Sequence, residues 1–254
     1  MVSRPDDERY MCQRLLSFFG EEGQRKVASS NVLIAGCGAL GSNCAELLTR
    51  AGIGRLFLLD YDTVELQNLQ RQALITEDDV GRLKGEALAD HLRRINSRIE
   101  ADPKIEKMDG GNALQLLNGV DLVIDGFDNL GSRYVLNDAC VRLGLPWVFG
   151  AVAGASGISM TVVPGKGPCL RCLFPEQPEE KFVLNAGNAG LVNTVVRAIA
   201  AVQVTSALRC VVESPDTSGA LITWDVWAGV CDVQTVPRSP DCVCCALGEY
   251  EYLS

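Results

Sequence analysis

Between Asn31 and Asp60 the chain reads strand, glycine turn, helix, strand and acid, an order that few folds accommodate. Val32-Leu33-Ile34-Ala35 is a short apolar run of the kind that forms a buried strand. It breaks into Gly36-Cys37-Gly38-Ala39-Leu40-Gly41, and Ser42 to Ala51 reads as a helix. A second apolar run, Arg55 to Leu59, ends on Asp60. Glycines let the backbone turn tightly and approach a ligand, and the new helix aims its free N–H groups at an anion. Asp60 stands where a carboxylate accepts bonds from ribose hydroxyls. The pattern implies a nucleotide without saying which one, and dinucleotide oxidoreductases share it. The bland alternative is an ordinary strand-to-helix turn with no ligand.

The alternation continues. Asp78 to Asn96 reads as a helix carrying Lys84, Val120 to Asp125 as a strand, Ser132 to Leu143 as a helix and Trp147 to Val152 as a strand. This implies a Rossmann-like, doubly wound α/β sheet, mainly parallel. Beyond Gly157 the style changes. Ile158 to Val163 is a strand, Leu173 to Gly187 a Pro-, Glu- and Gly-rich loop, Gly190 to Val211 a long apolar helix, and Ala220–Trp227 with Val230–Val236 a hairpin. The later strands are expected to extend the sheet in antiparallel fashion. Ahead of the first strand, Asp6 to Phe19 and Glu21 to Ala28 read as helices. One unit over 1–254 is expected, with N-terminal helices (6–28), a nucleotide half (31–155) and a second half (156–254).

Net charge is -9, which argues against a nucleic-acid surface, since that needs a basic face. No apolar run reads as long enough to span a bilayer, and the polar N-terminus is not a secretory signal. A cytoplasmic protein is expected. Its eleven cysteines then stand as thiols or metal ligands rather than disulfides. The single histidine, His91, falls on the polar side of a helix and receives no role, which argues against hydrolase chemistry with a histidine base.

Cys169-Leu170-Arg171-Cys172 and Cys242-Val243-Cys244-Cys245 are two Cys-x-x-Cys pairs beside Pro168 and Pro240. Each pair can grip a metal from one turn. Together Cys169, Cys172, Cys242 and Cys245 complete a tetrahedral thiolate site for Zn2+, closed and therefore structural. Cys244 can substitute for a neighbour as ligand, and buried reduced thiols or a redox pair are the alternatives. Cys12, Cys37, Cys44, Cys140, Cys210 and Cys231 have no partner at metal spacing and read as small core residues.

Asp60, Asn68, Arg71, Lys84 and Asp128 all fall near the C-terminal ends of strands or in the loops that follow. Two cations and a carboxylate there suit a phosphate chain with Mg2+, and a nicotinamide site needs neither.

Taken in order, Arg9-Tyr10, the Gly36–Gly41 loop, Asp60 to Glu65, Asn68-Leu69-Gln70-Arg71-Gln72, Lys84, Asp128-Asn129 and Pro168 to Cys172 resemble the MoeB/ThiF/HesA family of ubiquitin-activating-like adenylyltransferases. The likeness runs from about Arg9 to Cys245. It implies a homodimer that uses ATP to adenylate the C-terminal carboxylate of a small ubiquitin-like sulfur carrier, releasing pyrophosphate. It implies a nucleotide site of Gly36, Gly38, Ala39, Gly41, Asp60, Asn68, Arg71, Lys84, Asp128 and Asn129, with Arg71, Lys84 and Asp128 catalytic and Asp128 on Mg2+. The acceptor tail would run under a crossover loop at roughly Leu173–Gly187.

Three departures stand out. The family's arginine that reaches the partner subunit's ATP corresponds to Cys12 here, with Arg14 two residues on. The crossover segment Phe182 to Gly187 lacks the cysteine of members that form a covalent sulfur link. Ala39 replaces the glycine of the loop's fourth position. Adenylation of a short ribosomal peptide and a degenerate nucleotide-binding scaffold are the competing functions, and a dehydrogenase is disfavoured.

Overall fold

The computed structural model describes residues 8–179, 186–213 and 218–253. Its centre is an eight-stranded sheet in the order β3-β2-β1-β4-β5-β6-β7-β8. The strands are β1 Asn31–Ala35, β2 Arg55–Leu59, β3 Glu100–Lys104, β4 Leu122–Asp125, β5 Trp147–Ala153, β6 Ser156–Val162, β7 Ala220–Asp225 and β8 Val230–Thr235. Pairings from β3 to β5 are parallel, and those from β5 to β8 are antiparallel. The expected parallel sheet with antiparallel C-terminal strands is therefore present.

Strand alternation divides the core between two faces. Val32 and Ile34 face helices α1 (Gly20–Ser29), α2 (Ala39–Ala51), α3 (Lys84–Ile95) and α5 (Asn193–Glu213). Leu33 and Ala35 face the opposite side, with α4 (Leu130–Leu143) and the cysteine knuckles. The strands that carry the site are thus clamped from both sides.

Several local expectations need correction. The expected N-terminal helix is interrupted: Glu8 and Arg9 are helical, Tyr10 is a turn, and Met11–Arg14 forms a short helix that stops before Phe19; the expected start at Asp6 lies outside the described residues. Tyr10 sets the geometry there. It packs against Gly52, and its hydroxyl accepts from Asn96 Nδ2 at 2.8 Å. The helix expected from Asp78 begins at Lys84, because Gly81 takes φ +89° and ends a short 3-10 turn at Glu77–Asp79. The Leu173–Gly187 loop opens from a four-residue helix, Leu170–Leu173, and another, Ala186–Ala189, closes it. Positions 180–185 lie outside the described residues, and with them most of the Phe182–Gly187 segment.

Two further expectations also change. Helix α5 is long and apolar enough to cross a membrane by length and composition. Its apolar face instead meets the sheet, with Val195, Val196, Ile199 and Ala200 buried. Cys37, Cys44 and Cys140 are core residues as expected, whereas Cys12 and Cys231 are exposed. Cys12 lies on the short exposed N-terminal turn, and Cys231 lies on β8, an edge strand exposed throughout.

Candidate functional site

The sheet's C-terminal edge opens into a cleft of about 410 Å³. It lies where the strand order reverses beside β1, the usual ligand position in open α/β sheets. Gly36, Gly38, Ala39, Asp60, Asn68, Arg71, Lys84, Asp128 and Asn129 all line it. Gly41 does not. A Cβ there would collide with the Gly36 carbonyl, so Gly41 serves helix-to-strand packing rather than ligand contact. Gly36 holds φ +97° against Gly126. Gly38 has open space where its side chain would be, the kind of opening a phosphate group fills. Helix α2 starts there without a side-chain cap or an acid in its first turn. Its N-terminal amides thus keep the dipole's positive end uncancelled.

Asp60 is buried, and its two oxygens accept from the Cys37 and Asp62 amides at 2.7 and 2.8 Å. Burial raises its pKa, while those amides and Lys84 pull it back. The carboxylate thus braces the glycine loop and retains lone pairs for a ligand. Lys84 opens α3 and pairs with Asp62 at 2.8 Å. Burial opposes its charge, but Asp62, Asp60 and Asp128 together raise its pKa and keep it a cation. Asn68 is buried, and its Oδ1 accepts from the Glu65 amide. Arg71 Nη1 donates to the Gln67 carbonyl at 2.8 Å. Neither Arg71 nor Asp128 has an ion-pair partner among the described residues. Asn129 caps α4, its Oδ1 accepting from Ser132 N at 2.9 Å, while its Nδ2 faces Asp128 Oδ1 at 3.4 Å.

The floor of the cleft carries a pair that sequence reasoning missed. Arg133 Nε meets Asp125 Oδ2 at 2.8 Å, both side chains being buried. Arg133 Nη2 also donates to the Phe127 and Gly150 carbonyls. Burial raises the Asp125 pKa, and Arg133 pulls it down. The available signal was Asp125 itself, since an acid closing a buried strand calls for a buried cation.

Behind this face the sulfurs of Cys169, Cys172, Cys242 and Cys245 lie within 4.8 Å of one another. A tetrahedral zinc with bonds of about 2.3 Å needs sulfurs about 3.8 Å apart, and Cys169–Cys242 and Cys172–Cys245 stand at 3.6 and 3.5 Å. The donor set fits Zn2+. The neighbouring thiols of Cys244, Cys242 and Cys245 lower the pKa of Cys169, which favours its thiolate. Cys244 lies outside that four-sulfur group, and its sulfur accepts from Asn137 Nδ2 at 3.3 Å. Asn137 Oδ1 accepts from Leu170 N, so one buried amide ties both knuckles to α4.

At the N-terminus, Cys12 is exposed and Arg14 is held by Glu21 at 3.2 Å.

The ThiF family matches residues 10–244. Among curated relatives, the adenylyltransferase and sulfurtransferase MOCS3 of Aedes aegypti is 39% identical over 94% of this chain and 55% of its own length. The chain spans about half the length of several MOCS3 relatives. The SAMP-activating enzyme E1 of Haloferax volcanii is 34% identical over 95% of this chain and 89% of its own length. The sulfur carrier protein ThiS adenylyltransferase of Bacillus subtilis is 35% identical, with 97% and 74% covered. The solved structure of E. coli MccB with ATP matches the fold at TM-score 0.79 and 24% identity, covering 94% of this chain and 74% of that one.

Proposed function

The chain belongs to the ThiF family, and we propose that it is an ATP-dependent adenylyltransferase that activates the C-terminal carboxylate of a small ubiquitin-like sulfur carrier. The observation that supports this most is the cleft. An uncapped helix N-terminus, a lysine, and an arginine and a carboxylate without ion-pair partners among the described residues converge there. That set is suited to holding a triphosphate rather than attacking anything.

The chemistry asks for little more. The acceptor carboxylate is already an anion, so no base is needed. One of its oxygens bonds to the α-phosphorus. The bond from that phosphorus to the bridging oxygen breaks, and pyrophosphate leaves with the electron pair. The protein must align two anions and stabilise charge as it moves onto the leaving group. Asp60 would hold the ribose. Asn68, Arg71, Lys84 and the α2 amides would meet the phosphates, and Asp128 would hold Mg2+, which neutralises the departing pyrophosphate. Zn2+ on the four cysteines would serve structure alone. A homodimer in the cytoplasm is the expected setting.

Pyrophosphate exchange tests the reading. Incubation with ATP, Mg2+ and a carrier ending in Gly-Gly should give exchange. Exchange with a short peptide and none with a carrier would move the activity to peptide modification, and ATP binding without exchange would make the chain a scaffold. Asp128→Ala should lower exchange by about 10²–10³-fold with the fold intact. Wild-type exchange in that variant would remove the Mg2+ assignment.

A further inference from the structure

The one histidine is not idle. His91 lies on α3, seven residues after Lys84 and thus about two turns along the same helix. Its Nε2 stands 2.7 Å from Asp79 Oδ2. Asp79 is almost wholly buried, with its side chain 4% exposed. It also accepts from Thr76 N and Thr76 Oγ1, both at 3.0 Å, and from Arg82 Nη1 at 2.8 Å. Arg82 in turn reaches Asp90 on α3 at 2.6 Å. The 76–82 turn is therefore tied to α3 at two points.

The same turn holds the cleft wall. Gly81 N donates to the Val64 carbonyl at 2.9 Å, and Val64 N donates to the Arg82 carbonyl at 2.8 Å. Lys84 N donates to the Asp62 carbonyl at 2.9 Å, and Thr63 bridges Leu83. Asp62 is the residue that grips Lys84 Nζ. A chain of contacts thus runs from His91 through Asp79 and Arg82 to Val64 and the Asp62–Lys84 pair.

We propose that His91 and Asp79 form a latch that sets where the Asp62–Lys84 pair stands in the cleft, making His91 a positioning residue for triphosphate binding. It touches no nucleotide. The latch acts chiefly on the phosphate end: the ribose carboxylate, Asp60, shares the Asp62 amide with the latched segment but is held besides by the Cys37 amide and by its own N–H on the Lys104 carbonyl of the neighbouring strand. The proposal rests on the reading of Lys84 as a phosphate contact.

The test compares ATP with AMP, which lacks the outer phosphates. Affinities are measured by calorimetry on wild type, His91→Leu, His91→Gln and Lys84→Ala, with circular dichroism to check the fold. His91→Leu should weaken ATP by about tenfold while AMP changes much less, so that the ATP-to-AMP ratio falls. His91→Gln, whose amide can still donate to Asp79, should recover most of the loss. A general loss of stability would weaken both nucleotides together and would overturn the latch. So would a His91→Leu variant with the wild-type ATP-to-AMP ratio, provided that Lys84→Ala alters that ratio. Should Lys84→Ala leave the ratio unchanged, the phosphate role of Lys84 fails and the latch with it. Where the leucine variant does not fold, Asp79→Asn keeps the shape, weakens the acceptor and gives the same readout.

Discussion

The cleft and the thiolate cluster are both gatherings of polar side chains, and they differ in what is left over. At the cluster the four sulfurs complete one another's set. Four sulfurs surround one point, where a single metal would satisfy them all. In the cleft the sum does not close. Lys84 has Asp62, but Arg71 and Asp128 have no ion-pair partner among the described residues, and α2 begins uncapped. A closed set holds a structure together, whereas an open set waits for a ligand. The floor of the cleft belongs to the first kind, since Asp125 and Arg133 answer each other out of reach of water.

The sharpest way to break this contrast is to remove the metal. Analysis of the purified protein should return about one zinc per chain, and stripping it should cost on the order of 10 kcal/mol in the half of the chain that carries the knuckles. Thermal unfolding with and without chelator reads the effect. No metal, or a Cys172→Ser variant as stable as wild type, would dissolve the closed side of the comparison. Next in size is the floor pair. Arg133→Met leaves the Asp125 carboxylate buried alone and should cost about 3–5 kcal/mol in denaturant unfolding. Replacing both residues with apolar ones should restore much of that, as expected of a self-satisfied pair.

The smallest effect is an acid limb. Burial acts to raise the Asp79 pKa, but the Thr76 amide, His91 and the Thr76 hydroxyl outweigh it and hold it at about 2. A carboxyl depressed on folding contributes stability above its unfolded pKa and loses it as pH falls through the folded value. Between about pH 4 and pH 2 the loss should be about 2 kcal/mol. Asp79→Asn should lack that limb, so its stability gap to wild type should close over the same window.

Much of this was written in local pattern. The glycine loop, Asp60 at a strand end, Lys84 at a helix start and the four cysteines each carry their signal within a few residues. What sequence hid depends on distant partners. Strand β3, Glu-Ala-Asp-Pro-Lys, has no apolar alternation. It survives because it is an edge strand paired with β2 alone, where Pro103 can forgo its missing N–H. Arg133 looks like a surface cation on a helix until Asp125 is placed beneath it. The capping role of Asn129 was hidden as well, because the helix it caps starts only after it. His91 looked idle because a helix read from Asp78 puts Asp79 about three turns away, whereas the break at Gly81 brings that turn back onto α3.

Strand β5 joins the two halves of the sheet, parallel to β4 on one flank and antiparallel to β6 on the other. Severing the chain between Ala153 and Ser156 would leave each fragment with a raw ladder of unanswered amides and carbonyls. The fragments would then have reason to find each other again. Reassembly of two separately produced pieces, joined along that seam, is what such an arrangement invites.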